Sequence, residues 1–136
     1  MPEIFSRIVG TGSALPERAM SNVALAQELA NRGVETSDEW IRTRTGIENR
    51  YLADASETTT VLAERAARRA LESAQLKPEN LDLIVVATTT PDQVFPSTAC
   101  QLQARLDAKR GAALDIQAEC AGFVYAVSVA DAMIRS

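Results

Sequence analysis

The stretch 121–135 constrains the fold more than any other. Phe123, Val124, Tyr125, Ala126, Val127, Val129, Ala130, Ala132, Met133 and Ile134 leave few polar positions between them. A helix built from them is apolar around nearly its whole circumference, and such a helix must be buried on all sides. One sheet covers one side only. The strand-forming segments upstream suffice for a single sheet, so further cover must come from a second half of the same protein or from a partner chain. No helix stop signal, such as a trailing glycine, precedes Ser136. The natural protein is therefore expected to be longer than these 136 residues.

Upstream of that helix, strand and helix patterns alternate, without repeats, low-complexity tracts or an obvious linker. Residues 3–11 read as a first strand, closed by Gly12 and Pro16. Residues 22–31 read as a short amphipathic helix ended by Gly33. Thr36, Ser37, Asp38 and Glu39 have capping-box spacing, a hydroxyl at the cap and a carboxylate three residues on. A helix over 37–44 follows, ending near Gly46, and 47–52 read as an edge strand or hairpin arm. Over 58–74, Leu62, Ala66, Ala70, Leu71 and Ala74 share one helical face, while Glu64, Arg68 and Glu72 form an i, i+4 charged stripe. Residues 81–89 contain the continuous apolar run of a central parallel strand. A helix over 97–107, a strand over 113–118 and the last helix complete the pattern. Strands separated by crossover helices predict an α/β chain with a parallel sheet.

Bulk composition excludes several classes. Apolar residues make up 46% and charged residues 24%, as in a globular domain rather than a disordered one. A net charge of −4 argues against nucleic acid as the main partner. No apolar run approaches the roughly 18 residues of a membrane span, and the first residues do not form a secretory signal. A cytoplasmic protein is expected. The sequence has no histidine and only two cysteines, Cys100 and Cys120, in no C-x-x-C pair. Neither a zinc site nor a disulfide is expected. Gly10-Thr11-Gly12 begins like a dinucleotide fingerprint, but Leu15 stands where the third glycine belongs, so that reading is rejected.

Chemistry concentrates at Cys120. It falls where the strand over 113–118 turns into the last helix, and unpaired amides and partial positive charge at a helix start favour the thiolate. Gly122 gives a substrate room to approach the backbone, whereas the carboxylate of Glu119 opposes ionisation if it faces the sulfur. On position alone Cys120 is either a nucleophile or a buried core cysteine. Cys100, on an apolar helix face, reads as core.

Three strings carry a resemblance to a known family: TSDEWIRTRTGIENRYLA at 36–53, LIVVATTTPDQVFPSTACQLQARL at 83–106 and DIQAECAGFVYAVSVADAMIRS at 115–136. Together they closely resemble β-ketoacyl-acyl-carrier-protein synthase III, in the right order and over nearly the whole sequence. The resemblance implies a thiolase-like fold, two related α/β halves in five layers, αβαβα. Residues 1–136 would be the first half, carrying the nucleophile. It implies that Cys120 accepts a short acyl group from acyl-CoA, which then condenses with malonyl-acyl carrier protein and releases CO2. It also implies a homodimer, with no cofactor beyond the CoA thioester that is itself substrate, no metal and no membrane.

The resemblance assigns further residues. That matching Trp40 stacks on the CoA adenine, that matching Arg44 approaches the same nucleotide, and that matching Thr36 lies beside them. Read from the residues alone, Thr36 serves equally as a helix cap and Trp40 as a core anchor. The residue matching Phe95 reaches the acyl pocket of the other subunit, against a plain role in loop packing. The family's histidine and asparagine partners come from its C-terminal half, and with no histidine this chain cannot hold that triad. Two other readings stay open: a related thiolase-fold synthase of secondary metabolism, and a non-catalytic half-domain that dimerises or binds a carrier protein.

Overall fold

The structure, a computed structural model, describes residues 4–136. They divide into two compact units, Leu15–Glu57 and a second made of residues 4–14 with Thr58–Ser136. Among the described residues no helix is long and apolar enough to cross a membrane.

The Leu15–Glu57 unit is a small α+β body. Strand β1 (Arg18–Ser21) leads directly into α1 (Asn22–Ala30), then α2 (Asp38–Thr45) and β2 (Asn49–Leu52). The strands pair antiparallel, Arg18 opposite Leu52 and Ser21 opposite Asn49. Sequence reading missed β1, because four residues are too few to show alternation. Met20 alone points into the small core, which also holds Ile41. Helix α2 begins one residue later than the capping-box spacing predicts. Its cap is Ser37, whose Oγ accepts from the Trp40 amide at 3.1 Å, and not Thr36. With the frame shifted, the residue three beyond the cap is Trp40, so no carboxylate closes a box. The helix ends as expected at Gly46, which takes φ +69°, a left-handed value glycine adopts without a Cβ penalty.

In the other unit, α3 (Thr59–Ala74), β3 (Leu83–Ala87), α4 (Thr98–Leu106), β4 (Ala112–Ile116) and α5 (Gly122–Arg135) form a two-stranded sheet with helices packed on it. Strands β3 and β4 are parallel, Leu83 opposite Ala112 and Ala87 opposite Ile116. Parallel neighbours need a crossover, and α4 supplies it. Side chains alternate across β3. Ile84 and Val86 face the core of Ala99, Leu102, Leu106 and Ala108, to which α3 adds Ala63 and Ala67. Leu83, Val85 and Ala87 face the other way, towards Phe123, Ala126, Val127 and Ala130 of α5. The last helix is thus covered on the sheet side only. Its outer side chains stand open, Val124 at 63% and Tyr125 at 56% exposure.

Two expectations fail here. No strand forms over the described part of 3–11, residues 4–11; Glu3 lies outside the described residues. A strand exists only as half of a ladder, and the only ladders among the described residues are β1–β2 and β3–β4. The segment runs across α3 instead, leaving Ile8 at 79% exposure. The predicted α3 face of Ala66, Ala70 and Ala74 therefore meets Gly10 and Gly12, while Ala63 and Ala67 turn to the core. Cys100 is exposed rather than core, since Ala99, Leu102 and Leu106 take the buried side of α4. Its thiol lies 3.8 Å from the Ala113 carbonyl oxygen.

Gly10 and Gly12 owe their lack of side chain to α3. A Cβ on Gly10 would sit 2.5 Å from the Ala70 carbonyl oxygen, and one on Gly12 would collide with the Ala66 carbonyl oxygen and the Ala70 nitrogen. These obstacles are backbone and cannot swing aside. Gly12→Ala is expected to lower stability by about 1–3 kcal/mol, read as a fall in the denaturant midpoint with unchanged slope.

Candidate active site

β4 delivers the chain to Cys120 through a carboxylate. Asp115 sits in an otherwise apolar strand and accepts from two amides at the start of α4, Thr98 at 2.8 Å and Ala99 at 2.7 Å. Ser97 Oγ takes the next, Cys100, at 3.2 Å, and the Ser97 carbonyl takes Gln101 at 3.0 Å. The Thr98, Ala99 and Cys100 amides, which have no partner within the helix, are thereby satisfied. Bonds to a charged acceptor contribute about 1.5–3 kcal/mol each, enough to fix β4 against α4 five residues before the cysteine. Sequence reading passed over Asp115. The available signal was a lone carboxylate inside an apolar strand.

The chain then reverses in a tight 3₁₀ turn, Glu119–Ala121. Glu119 takes φ +45°, uncommon for a residue with a side chain and a sign of local strain. The Ala121 amide bonds the Ala118 carbonyl at 2.9 Å and closes the turn. Cys120 sits at its middle and is exposed, so in this chain it is not a buried core cysteine. No side chain caps α5, whereas Ser21, Ser37, Thr58 and Ser97 each cap their helix. The thiol therefore stands exposed just before a helix start that no side chain caps. Gly122 is not open to substrate as expected. It is buried, and a Cβ there would come within 3.1 Å of the Ala87 side chain, so it lets α5 start close against β3.

Phe95 belongs to the same unit, in the loop between β3 and α4, at 87% exposure. Packing within the loop is not its role in this chain. Upstream of it the loop is tethered to the start of α3. Thr58 Oγ1 donates to Asp92 Oδ2 at 2.7 Å, the Thr60 amide donates to the same carboxylate at 3.2 Å, and Thr59 Oγ1 donates to the Thr90 carbonyl at 2.7 Å. Partial burial opposes charge on Asp92, yet the hydrogen bonds from Thr60, Thr58 and the amides outweigh it and hold the carboxyl below its ordinary range.

Thr36, Trp40 and Arg44 belong to the Leu15–Glu57 unit. Trp40 is 52% exposed on α2, so it is not a core anchor. One turn on, the Arg44 guanidinium lies over the indole, 4.4 Å from its centroid. The pair forms a flat cationic plate, stabilised by about 0.5–1 kcal/mol at an exposed site. The Thr36 hydroxyl, no longer a cap, is buried without a hydrogen-bond partner.

The tether at Asp92 is testable. A carboxyl held low in the folded state contributes stability above its unfolded value, about pH 3.9, and loses it as pH falls through the lower folded value. Asp92→Asn should speed limited proteolysis within 88–97 at neutral pH. The stability gap between variant and parent should close as the buffer is acidified below about pH 4.

No family model matches the chain. A curated protein of Bordetella petrii, β-ketoacyl-[acyl-carrier-protein] synthase III, is 59% identical over 132 residues, 97% of this chain but 40% of that protein. The crystal structure of 3-oxoacyl-[acyl-carrier-protein] synthase III from Aquifex aeolicus aligns with a TM-score of 0.85 at 51% identity, over 94% of this chain and 40% of that one. The priming β-ketosynthase of the R1128 polyketide biosynthetic pathway aligns with a TM-score of 0.90 at 37% identity, over 98% and 39%. The chain spans about two fifths of the length of each. Sequence and fold together make it a homologue of β-ketoacyl-acyl-carrier-protein synthase III, carrying part of the thiolase-like fold.

Proposed function

We propose that these residues supply the nucleophile and the CoA-recognition plate of a cytoplasmic, homodimeric β-ketoacyl-acyl-carrier-protein synthase III, which starts fatty-acid synthesis. The observation that carries the reading is Cys120, exposed in a strained turn before the uncapped start of α5. Its sulfur attacks the carbonyl carbon of a short acyl-CoA. A new C–S bond forms, the C–S bond to CoA breaks, and the thiol proton leaves with the CoA thiol. Malonyl-acyl carrier protein then loses CO2, and the electron pair released attacks the acyl carbon. The C–C bond forms as the Cys120 sulfur departs. The sequence has no histidine. The imidazole and amide groups that assist decarboxylation belong, in this proposal, to the part of the enzyme not matched here.

The remaining residues divide the substrate between them. The CoA adenine stacks on the open face of Trp40. Arg44 backs the other face and sets positive charge near the phosphates. The unpartnered Thr36 hydroxyl lies beside them. The exposed Phe95 ring enters the acyl pocket of the other subunit, where a large aromatic limits chain length by filling volume. No cofactor or metal takes part.

A second reading has support of its own. The likeness to the R1128 priming ketosynthase fits a synthase of secondary metabolism with the same chemistry. Priming assays with fatty-acid and polyketide carrier proteins separate the two by which malonyl carrier is consumed.

Incubating the intact enzyme with acetyl-CoA should add one acetyl group to Cys120, located by peptide mass analysis, and Cys120→Ser should abolish the thioester. Acetylation of Cys100 instead would overturn the assignment. Trp40→Ala should raise the KM for acetyl-CoA about five- to tenfold, as expected from losing roughly 1 kcal/mol of aromatic stacking, with little change for malonyl-acyl carrier protein. Equal loss for both substrates would make Trp40 structural.

A further inference from the structure

The residue that turns β1 into α1 is an asparagine at 1% exposure, and the proposed chemistry makes no use of it. Burying an amide is costly unless its polar atoms are bonded. Asn22 Nδ2 donates to Asp38 Oδ1 at 2.8 Å and to the Ile47 carbonyl oxygen at 2.6 Å. A carboxylate and a carbonyl only accept, so the nitrogen must be the atom facing them. The Asn22 backbone amide also reaches the Glu48 carbonyl at 3.2 Å. The Oδ1 atom, by contrast, is buried with no partner. A residue that tolerates an orphaned oxygen is held for its two donors.

Those donors reach opposite ends of one helix. Asp38 is the first residue of α2, and Ile47 follows its cap, Gly46. Eight residues are too few to form a stable helix unaided, and α2 buries only Ile41. Its N-terminus and C-terminus are pinned by a single amide group, and between them stand Trp40 and Arg44.

We propose that Asn22 is a positioning residue for CoA recognition: its side-chain amide clamps both ends of α2 and so fixes the direction of the Trp40–Arg44 plate. This rests on the reading of Trp40 as the stacking face for the nucleotide. Aspartate, of nearly the same shape, cannot substitute, because it sets oxygen against the Asp38 carboxylate and the Ile47 carbonyl.

The test compares acetyl-CoA with acetyl-pantetheine, which carries the same thioester without the nucleotide, as acyl donors to the intact enzyme. N22D should raise the KM for acetyl-CoA about tenfold, the loss of roughly one hydrogen bond, and leave that for acetyl-pantetheine within about twofold. Adding D38N to N22D restores a donor–acceptor pair in reverse and should recover part of the loss. N22A, which removes the donors without adding charge, provides the same comparison if N22D does not fold. W40A is measured alongside. If W40A spares acetyl-CoA, the CoA reading of α2 falls, and the clamp with it. If W40A is selective for acetyl-CoA but the Asn22 variants change both donors equally or neither, the clamp alone is overturned.

Discussion

Asp115 is the pin of the larger unit. Its carboxylate accepts the Thr98 and Ala99 amides at 2.8 and 2.7 Å, joining β4 to the start of the helix that crosses from β3. A parallel pair of strands has no hairpin to set its register. Register must come from the crossover, and the crossover is set by this contact together with Ile84, Ala99, Leu102 and Leu106. With β4 fixed, its exit is fixed too, and the turn at Glu119–Ala121 carries Cys120 to the surface. The position of Cys120 thus depends on a carboxylate five residues before it.

The second unit uses the same device at smaller scale. There a buried side-chain amide, Asn22, rather than a carboxylate, ties a helix down. Both groups are buried or half-buried polar side chains bonded to backbone, and such bonds act over a few ångströms with a direction that apolar packing lacks. They hold the two places where chemistry is expected, the thiol and the aromatic–guanidinium plate, on elements short enough to need holding.

Apolar side chains stand open along the outer side of α5 and at Ile4, Phe5, Ile8 and Val9. The open face of α5 agrees with the sequence argument that one sheet covers only one side of a helix apolar all round. The segment holding Ile8 agrees with the same physics from the other direction. Its composition suits a strand, yet without a ladder partner its backbone follows α3 instead, where Gly10 and Gly12 permit close approach.

Sequence alone determined the α/β class, the helices over Asn22–Ala30, Asp38–Thr45, Thr59–Ala74, Thr98–Leu106 and Gly122–Arg135, and the parallel strands β3 and β4. It determined Cys120, Trp40 and Arg44 as residues to examine. These follow from periodicity, from caps and stops, and from motif strings, all carried by neighbours in the chain. Tertiary structure alone decided the β1–β2 pairing, the failure of the strand over 4–11 and the outward turn of Cys100. It decided that Gly122 packs on Ala87. It also revealed what Asp115, Asp92 and Asn22 hold. The reason is the same in each case. The partner of each of these groups lies on another element or across a turn, and hydrogen bonds and close contacts at that remove leave no periodic mark in a sequence.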